Sequence, residues 1–95
     1  MWDNLLDNIG EKGSENGVII LDEEYKNQCR ITLEKCPEYY AITCGVYGAM
    51  VHTVFCGSDY QKIYNEMQSE LQCFIDTDTT EDDEIQFYQS FTRKF

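Results

Sequence analysis

The sequence predicts an α+β fold: an antiparallel four-strand meander, preceded by a short N-terminal helix and followed by two C-terminal helices. Three observations predict it. Residues 29–34 alternate apolar and polar side chains with a period of two. Residues 39–56 are a β-rich run broken only around Gly45 and Gly48. Residues 58–75 carry apolar side chains at spacings of three and four, which is one face of a helix. The expected layout is a single domain over 1–95. It comprises an N-terminal helix and linker (1–16), antiparallel strands (17–56), a long helix (58–76) packed on one sheet face, and a C-terminal helix (80–95).

Trp2, Leu5, Leu6 and Ile9 recur at helical spacing with polar residues between them, and Gly10 is a helix terminator. A helix is therefore expected over the first nine residues. Residues 11–17, EKGSENG, form a turn-rich linker. Val18-Ile19-Ile20-Leu21 is a β-branched strand run, and Asp22-Glu23-Glu24 is expected to carry it into solvent. In the next strand Cys29, Ile31 and Leu33 share the buried face. Pro37 has no N–H to donate and breaks that strand. A tight turn at Pro37 would set Cys29 opposite Cys44, Ile31 opposite Ile42 and Leu33 opposite Tyr40.

The following turn is read as a three-residue loop, Val46-Tyr47-Gly48, with Gly48 in the left-handed position. That pairs Cys44 with Met50 and Ile42 with His52. The fourth strand is apolar on both faces, with Met50, Val54 and Cys56 on one and Ala49, Val51 and Phe55 on the other. It is expected at a central or doubly covered position. Ser58 and Gln61 have capping-box spacing at the start of the long helix. Its stripe is Tyr60, Ile63, Tyr64, Met67, Leu71, Phe74 and Ile75. Thr80 is placed to cap the last helix, with acids at 81–84 and Arg93 and Lys94 at its end. Ile85, Tyr88, Phe91 and Phe95 are its expected apolar stripe.

The net charge is −11, and it is uneven. Residues 1–28 carry seven acids against two bases, and 76–95 carry six against two. The middle, 29–75, carries five against three. A field of this sign repels nucleic acid and anionic membranes, so neither is expected as a direct partner. It attracts a basic protein. The acids marked for such binding are Asp82, Asp83 and Glu84 at one end and Asp22 and Glu23 at the other. Solvation alone is the simpler use of surface charge. Self-association as a homodimer is left open, because a 95-residue chain has a modest core.

Five cysteines form no C-x-x-C pair, the N-terminus lacks a signal-peptide pattern, and no run is long enough to span a membrane. Reduced thiols in a cytoplasmic setting are expected. Cys44 and His52 are the only candidate nucleophile and base, with no third group to orient them. Cys29 and Cys44 are too few ligands for structural zinc, so no metal or cofactor is implied. Asp76-x-Asp78-x-Thr80 has the opening spacing of a calcium loop. But Glu81 stands where that loop needs glycine, and Phe87 where it needs glutamate.

The function read from the sequence is a non-enzymatic acidic protein-interaction domain. An inhibitor or immunity-type protein that blocks a nuclease is one concrete version. The alternative is a small-ligand binder or minor enzyme that uses an aromatic and thiol-lined pocket between sheet and helix.

Overall fold

A computed structural model describing residues 1–95 shows an α+β chain with a five-stranded antiparallel sheet and two helices. The strands are β1 (Asp3–Asn4), β2 (Val18–Tyr25), β3 (Cys29–Lys35), β4 (Tyr40–Val46) and β5 (Met50–Cys56). They lie in the sheet in sequence order, each antiparallel to the next. Helices α1 (Tyr60–Asp76) and α2 (Glu81–Lys94) follow.

The first nine residues do not form the expected helix. They contain β1 and a single 3-10 turn, Leu6–Asn8. A helix this short cannot offset its nucleation cost. The backbone instead pairs with β2, Asp3 opposite Glu24 and Asn4 opposite Glu23. Trp2 turns inward and stacks on Tyr25 at 5.1 Å, and its Nε1–H donates to Gln72 of α1 at 2.9 Å. Leu6, in contrast, is exposed.

β2 runs through Asp22, Glu23 and Glu24 rather than ending before them. Each acid has an intramolecular partner: Arg30 for Asp22, the Tyr64 hydroxyl for Glu23, the Tyr47 hydroxyl for Glu24. The strand can therefore stay in the sheet. The turn into β3 uses left-handed Lys26 and Asn27, at φ 51° and 56°.

The β3–β4 pairing is displaced by two residues from the sequence expectation. Ile31 faces Cys44, Leu33 faces Ile42 and Cys29 faces Val46. A two-residue turn needs positive φ, which Pro37 cannot adopt, and Pro37 also drives Cys36 to an extended conformation. The chain instead makes a four-residue turn, closed by Cys36 N–H donating to the Tyr39 carbonyl at 2.9 Å. A displacement of two keeps every side chain on its expected face.

The β4–β5 loop has the expected three residues and Gly48 at φ +76°, but it is Tyr47-Gly48-Ala49. His52 consequently faces Cys44 directly, and Val54 faces Ile42. β5 is not central. It is the sheet edge, with Val51 78% and Phe55 58% exposed.

Both helices lie on the sheet face that carries Cys29, Ile31, Leu33, Ile42, Cys44 and Val46. Met67 and Leu71 of α1 and Phe91 of α2 complete this core. α1 begins at Tyr60 rather than at a Ser58 box, with Asp59 at the N-cap and no side-chain cap. Thr80 does cap α2, in a reciprocal box with Asp83. The α2 stripe is rotated from the expected one. Phe87 stacks on Phe74 at 4.1 Å, whereas Ile85 is 48% exposed.

Ile31, Leu33, Ile42, Met67 and Leu71 are all 0–1% exposed and belong to one cluster. Leu71→Ala removes buried methyl groups between α1 and the sheet. It is expected to cost about 2–5 kcal/mol, read as a lowered midpoint in urea unfolding. A loss under about 0.5 kcal/mol, the size of a surface substitution, would contradict this packing.

Candidate functional site

The second face of the sheet holds three cross-strand rows. One is Glu24, Arg30, Gly45 and Val51. The next is Asp22, Thr32, Thr43 and Thr53, and the third is Ile19, Glu34, Ala41 and Phe55. No helix covers this face. Residues 5–17 cover its β2–β3 side, tied to β2 by Leu5 N–H to the Asp22 carbonyl and by paired bonds at Ile19.

Two carboxylates anchor that cover. Asp22 is 1% exposed, and both its oxygens are occupied. Arg30 donates from Nε at 2.8 Å and from Nη2 at 2.5 Å, Asn8 donates at 2.8 Å and Thr32 at 3.0 Å. Burial opposes its charge, but the bonds from Arg30, Asn8 and Thr32 outweigh burial and hold its carboxyl below the ordinary range. Glu34 is 0% exposed. Its carboxylate accepts from the backbone N–H groups of Glu15 and Gly17, each at 3.1 Å. The loop sits so close that a Cβ on Gly13 would lie 2.2 Å from the Glu34 carboxyl carbon.

Where the N-terminal cover ends, a groove of about 620 Å³ opens along β4. Gly13 and Ser14 form one wall, Arg30, Thr32 and Thr43 the floor, and the Tyr47–Val51 segment the far wall. The aromatic pocket expected between sheet and helix is largely filled. A space of only about 230 Å³ remains there, beside Tyr60 and Tyr64, and the Tyr64 hydroxyl is already bonded to Glu23.

Asp22 and Glu23, marked for partner binding, are thus drawn into internal bonds. Asp82 and Asp83 are exposed and Glu84 is half-buried. They form the first turn of α2, where Asp83 also closes the Thr80 box. The acidic N- and C-terminal segments meet at Asp76. Its carboxylate accepts from Lys26 Nζ at 2.6 Å and from the Tyr25 hydroxyl at 2.7 Å. Those two bonds, Lys26 first, hold it below the usual carboxylate range, and the chain's N-terminal ammonium adds to the effect. Only Asp22, Glu70 and Asp76 are in ion pairs, so fifteen of the eighteen acids have no cation partner.

Cys44 and His52 stand directly opposite each other on one face, yet no hydrogen bond joins them. Burial pushes the Cys44 thiol up to about 12, with Cys29 a second cause. A thiol protonated this firmly is not a nucleophile at neutral pH. His52 packs edge-on to Phe91 at 6.2 Å, and its Nε2 is buried without a partner. Cys44 belongs to the hydrophobic core, and His52 is partly buried at its border. No three His, Cys, Asp or Glu side chains are placed to hold a metal ion.

Sequence reasoning missed the Asp22–Arg30 and Glu34 anchors. The signal for the first was present. Both residues lie at outward-facing positions of adjacent strands, where opposite charges pair. The second had only the glycine-dense EKGSENG loop as a cue.

Two expectations follow. Asp22→Asn should cost about 1–3 kcal/mol at neutral pH, because a buried amide cannot accept all the bonds the carboxylate does, while Arg30, 40% exposed, keeps part of its solvation. Asp22 has a lowered folded pKa, so its contribution is present above the unfolded value of about 3.9 and lost as pH falls through the folded one. The stability gap between wild type and variant should therefore narrow from about pH 6 to about pH 2 in urea unfolding. An unchanged gap would show that this carboxylate does not titrate with folding. Among the thiols, Cys73 is exposed while Cys29 and Cys44 are buried and raised to about 11 and about 12. Iodoacetamide at neutral pH should modify Cys73 first and reach Cys44 only on unfolding, as read by peptide mass spectrometry. Early labelling of Cys44 would contradict its protection.

Compared with protein-family models, curated proteins and solved structures, the chain matches none, so its site is read from its own residues alone.

Proposed function

We propose that this chain is a non-enzymatic protein-interaction domain that receives a basic protein partner on its acidic end. The observation that carries the reading is that the N- and C-terminal acidic segments are tied together at Asp76, with Asp82 and Asp83 exposed and outside any ion pair. Acids needed only for solvation can lie anywhere. Here the β2–β3 turn, β1 and the α1 C-terminus converge, and α2 opens five residues after Asp76 with Glu81 to Glu84. Such a cluster steers a partner of opposite charge and speeds encounter more than it deepens affinity. An inhibitor or immunity-type protein acting on a basic enzyme is one form of this function.

A second reading has its own observation, the groove of about 620 Å³ on the open sheet face. Its volume falls within the range of small-ligand sites. Arg30 and the Thr43 hydroxyl would be its polar contacts.

Salt separates the two readings. The acidic-end reading predicts capture of basic proteins from lysate at about 50 mM salt and their loss at about 500 mM, since screening shortens the reach of exposed charges. The triple variant Asp82→Asn, Asp83→Asn, Glu84→Gln should capture less and associate more slowly. It should still fold, because first-turn acids contribute only about 0.3–1 kcal/mol each. Equal on-rates for wild type and variant at low salt would return these acids to a solvating role.

A further inference from the structure

The sheet has two unlike edges. β1 is a two-residue strand that blunts the β2 side. β5 is a seven-residue strand with nothing paired to its outer side. No backbone hydrogen bond outside the regular helix and strand ladders involves residues 50–56. Monomeric proteins protect such an edge with lysine, proline, a bulge or a covering loop. β5, reading MVHTVFC, has no lysine, proline or bulge.

The charge pattern is equally uneven. The chain is 26% charged, yet residues 39–58 contain no Asp, Glu, Lys or Arg. The whole β4–β5 hairpin is thus neutral within a chain of −11. A basic partner finds no carboxylate on this hairpin. A second acidic copy can approach here without setting like charges opposite each other.

We propose that β5 is a self-recognition strand: two copies pair antiparallel along it, centred on Thr53, and join their sheets into one. This goes beyond the acidic-end reading and does not depend on it. The sequence of β5 is self-complementary about that centre. Val51 and Phe55 both point to the open face, two residues either side of Thr53. Under two-fold symmetry each Val51 faces the partner's Phe55, and Thr53 faces its own copy. That is the same-patch geometry of a symmetric dimer. Aromatic against β-branched is also a favourable cross-strand pair. Phe55 is already held in place by an edge-on contact with Tyr39 at 5.6 Å. Such a seam supplies about six to eight backbone hydrogen bonds. The axis stands perpendicular to the sheet, so both helical layers lie on the same side.

Sedimentation velocity across a concentration series tests this on the whole chain. Wild type should move from 11.1 kDa towards twice that mass as concentration rises. Val51→Lys, or Phe55→Lys, should hold the chain at monomer mass with an unchanged circular dichroism spectrum, because both side chains are exposed. The double variant Val51→Lys/Phe55→Glu sets opposite charges across the same two pairings and should recover the dimer. Three results would overturn the proposal. They are a monomer at every concentration, a dimer indifferent to the two lysine variants, and a double variant no more dimeric than the single ones. The first result would leave β5 open to a foreign strand instead. These residues are uncharged and lie outside the acidic segments, so failure here leaves the acidic-end reading intact.

Discussion

The structure depends on closing the second face of the sheet without a second hydrophobic layer. Both helices are spent on the other face, where the apolar side chains converge. What remains is an N-terminal segment rich in glycine and acids. It cannot bury enough apolar surface to hold itself down. Asp22 and Glu34 supply the attachment instead. Both are almost fully buried and both are fully bonded, Asp22 by Arg30, Asn8 and Thr32, Glu34 by backbone N–H groups of the loop laid over it. A buried carboxylate without partners would cost several kcal/mol. Folding the N-terminal segment over them therefore satisfies the carboxylates and orders the segment in one step. It explains why β2 continues through three consecutive acids.

The same logic separates what was legible in the sequence from what was not. Period-two alternation in β3 and the three-and-four spacing in α1 identified the core correctly, because a buried face imposes a strong pattern. Ile31, Leu33, Ile42, Met67 and Leu71 follow from it. Register was legible only modulo two. Side-chain parity fixes the face, but the turn length does not follow from it, and Pro37 excludes the two-residue turn. The N-terminal helix was misread because Trp2, Leu5, Leu6 and Ile9 do have helical spacing. That pattern competes with ladder pairing to β2 and with a Trp2 site on Tyr25, and neither is visible locally. The edge position of β5 was hidden for a similar reason. An apolar strand looks central whether its second face meets protein or solvent.

The candidate site was less legible than the fold. Net charge is additive along the sequence, but its use depends on which acids remain unpaired. Asp22 and Glu23 looked equivalent to Asp82 and Glu84 and are not, since cross-strand and helix-to-strand partners take the first two. The Cys44–His52 pair shows the converse. The loop length placed both on one face, and the structure brings them directly opposite. Yet burial there raises the thiol's pKa, and no hydrogen bond joins it to His52.

Charge and apolar exposure are partitioned along the molecule, and that partition limits how it can meet other proteins. Asp3, Glu23 and Glu24 lie at the end of the sheet where β1, the β2–β3 turn and Asp76 of α1 converge, whereas Glu11, Glu15 and Glu38 lie towards the β3–β4 end. The β4–β5 hairpin, with Val51 and Phe55 exposed, carries no charge at all. A long-range field therefore acts mainly on the first surface, while only short-range pairing and packing can act on the second. The two proposed contacts would answer different conditions, ionic strength for one and protein concentration for the other. The two proposed contacts would not compete, because neither uses the residues of the other.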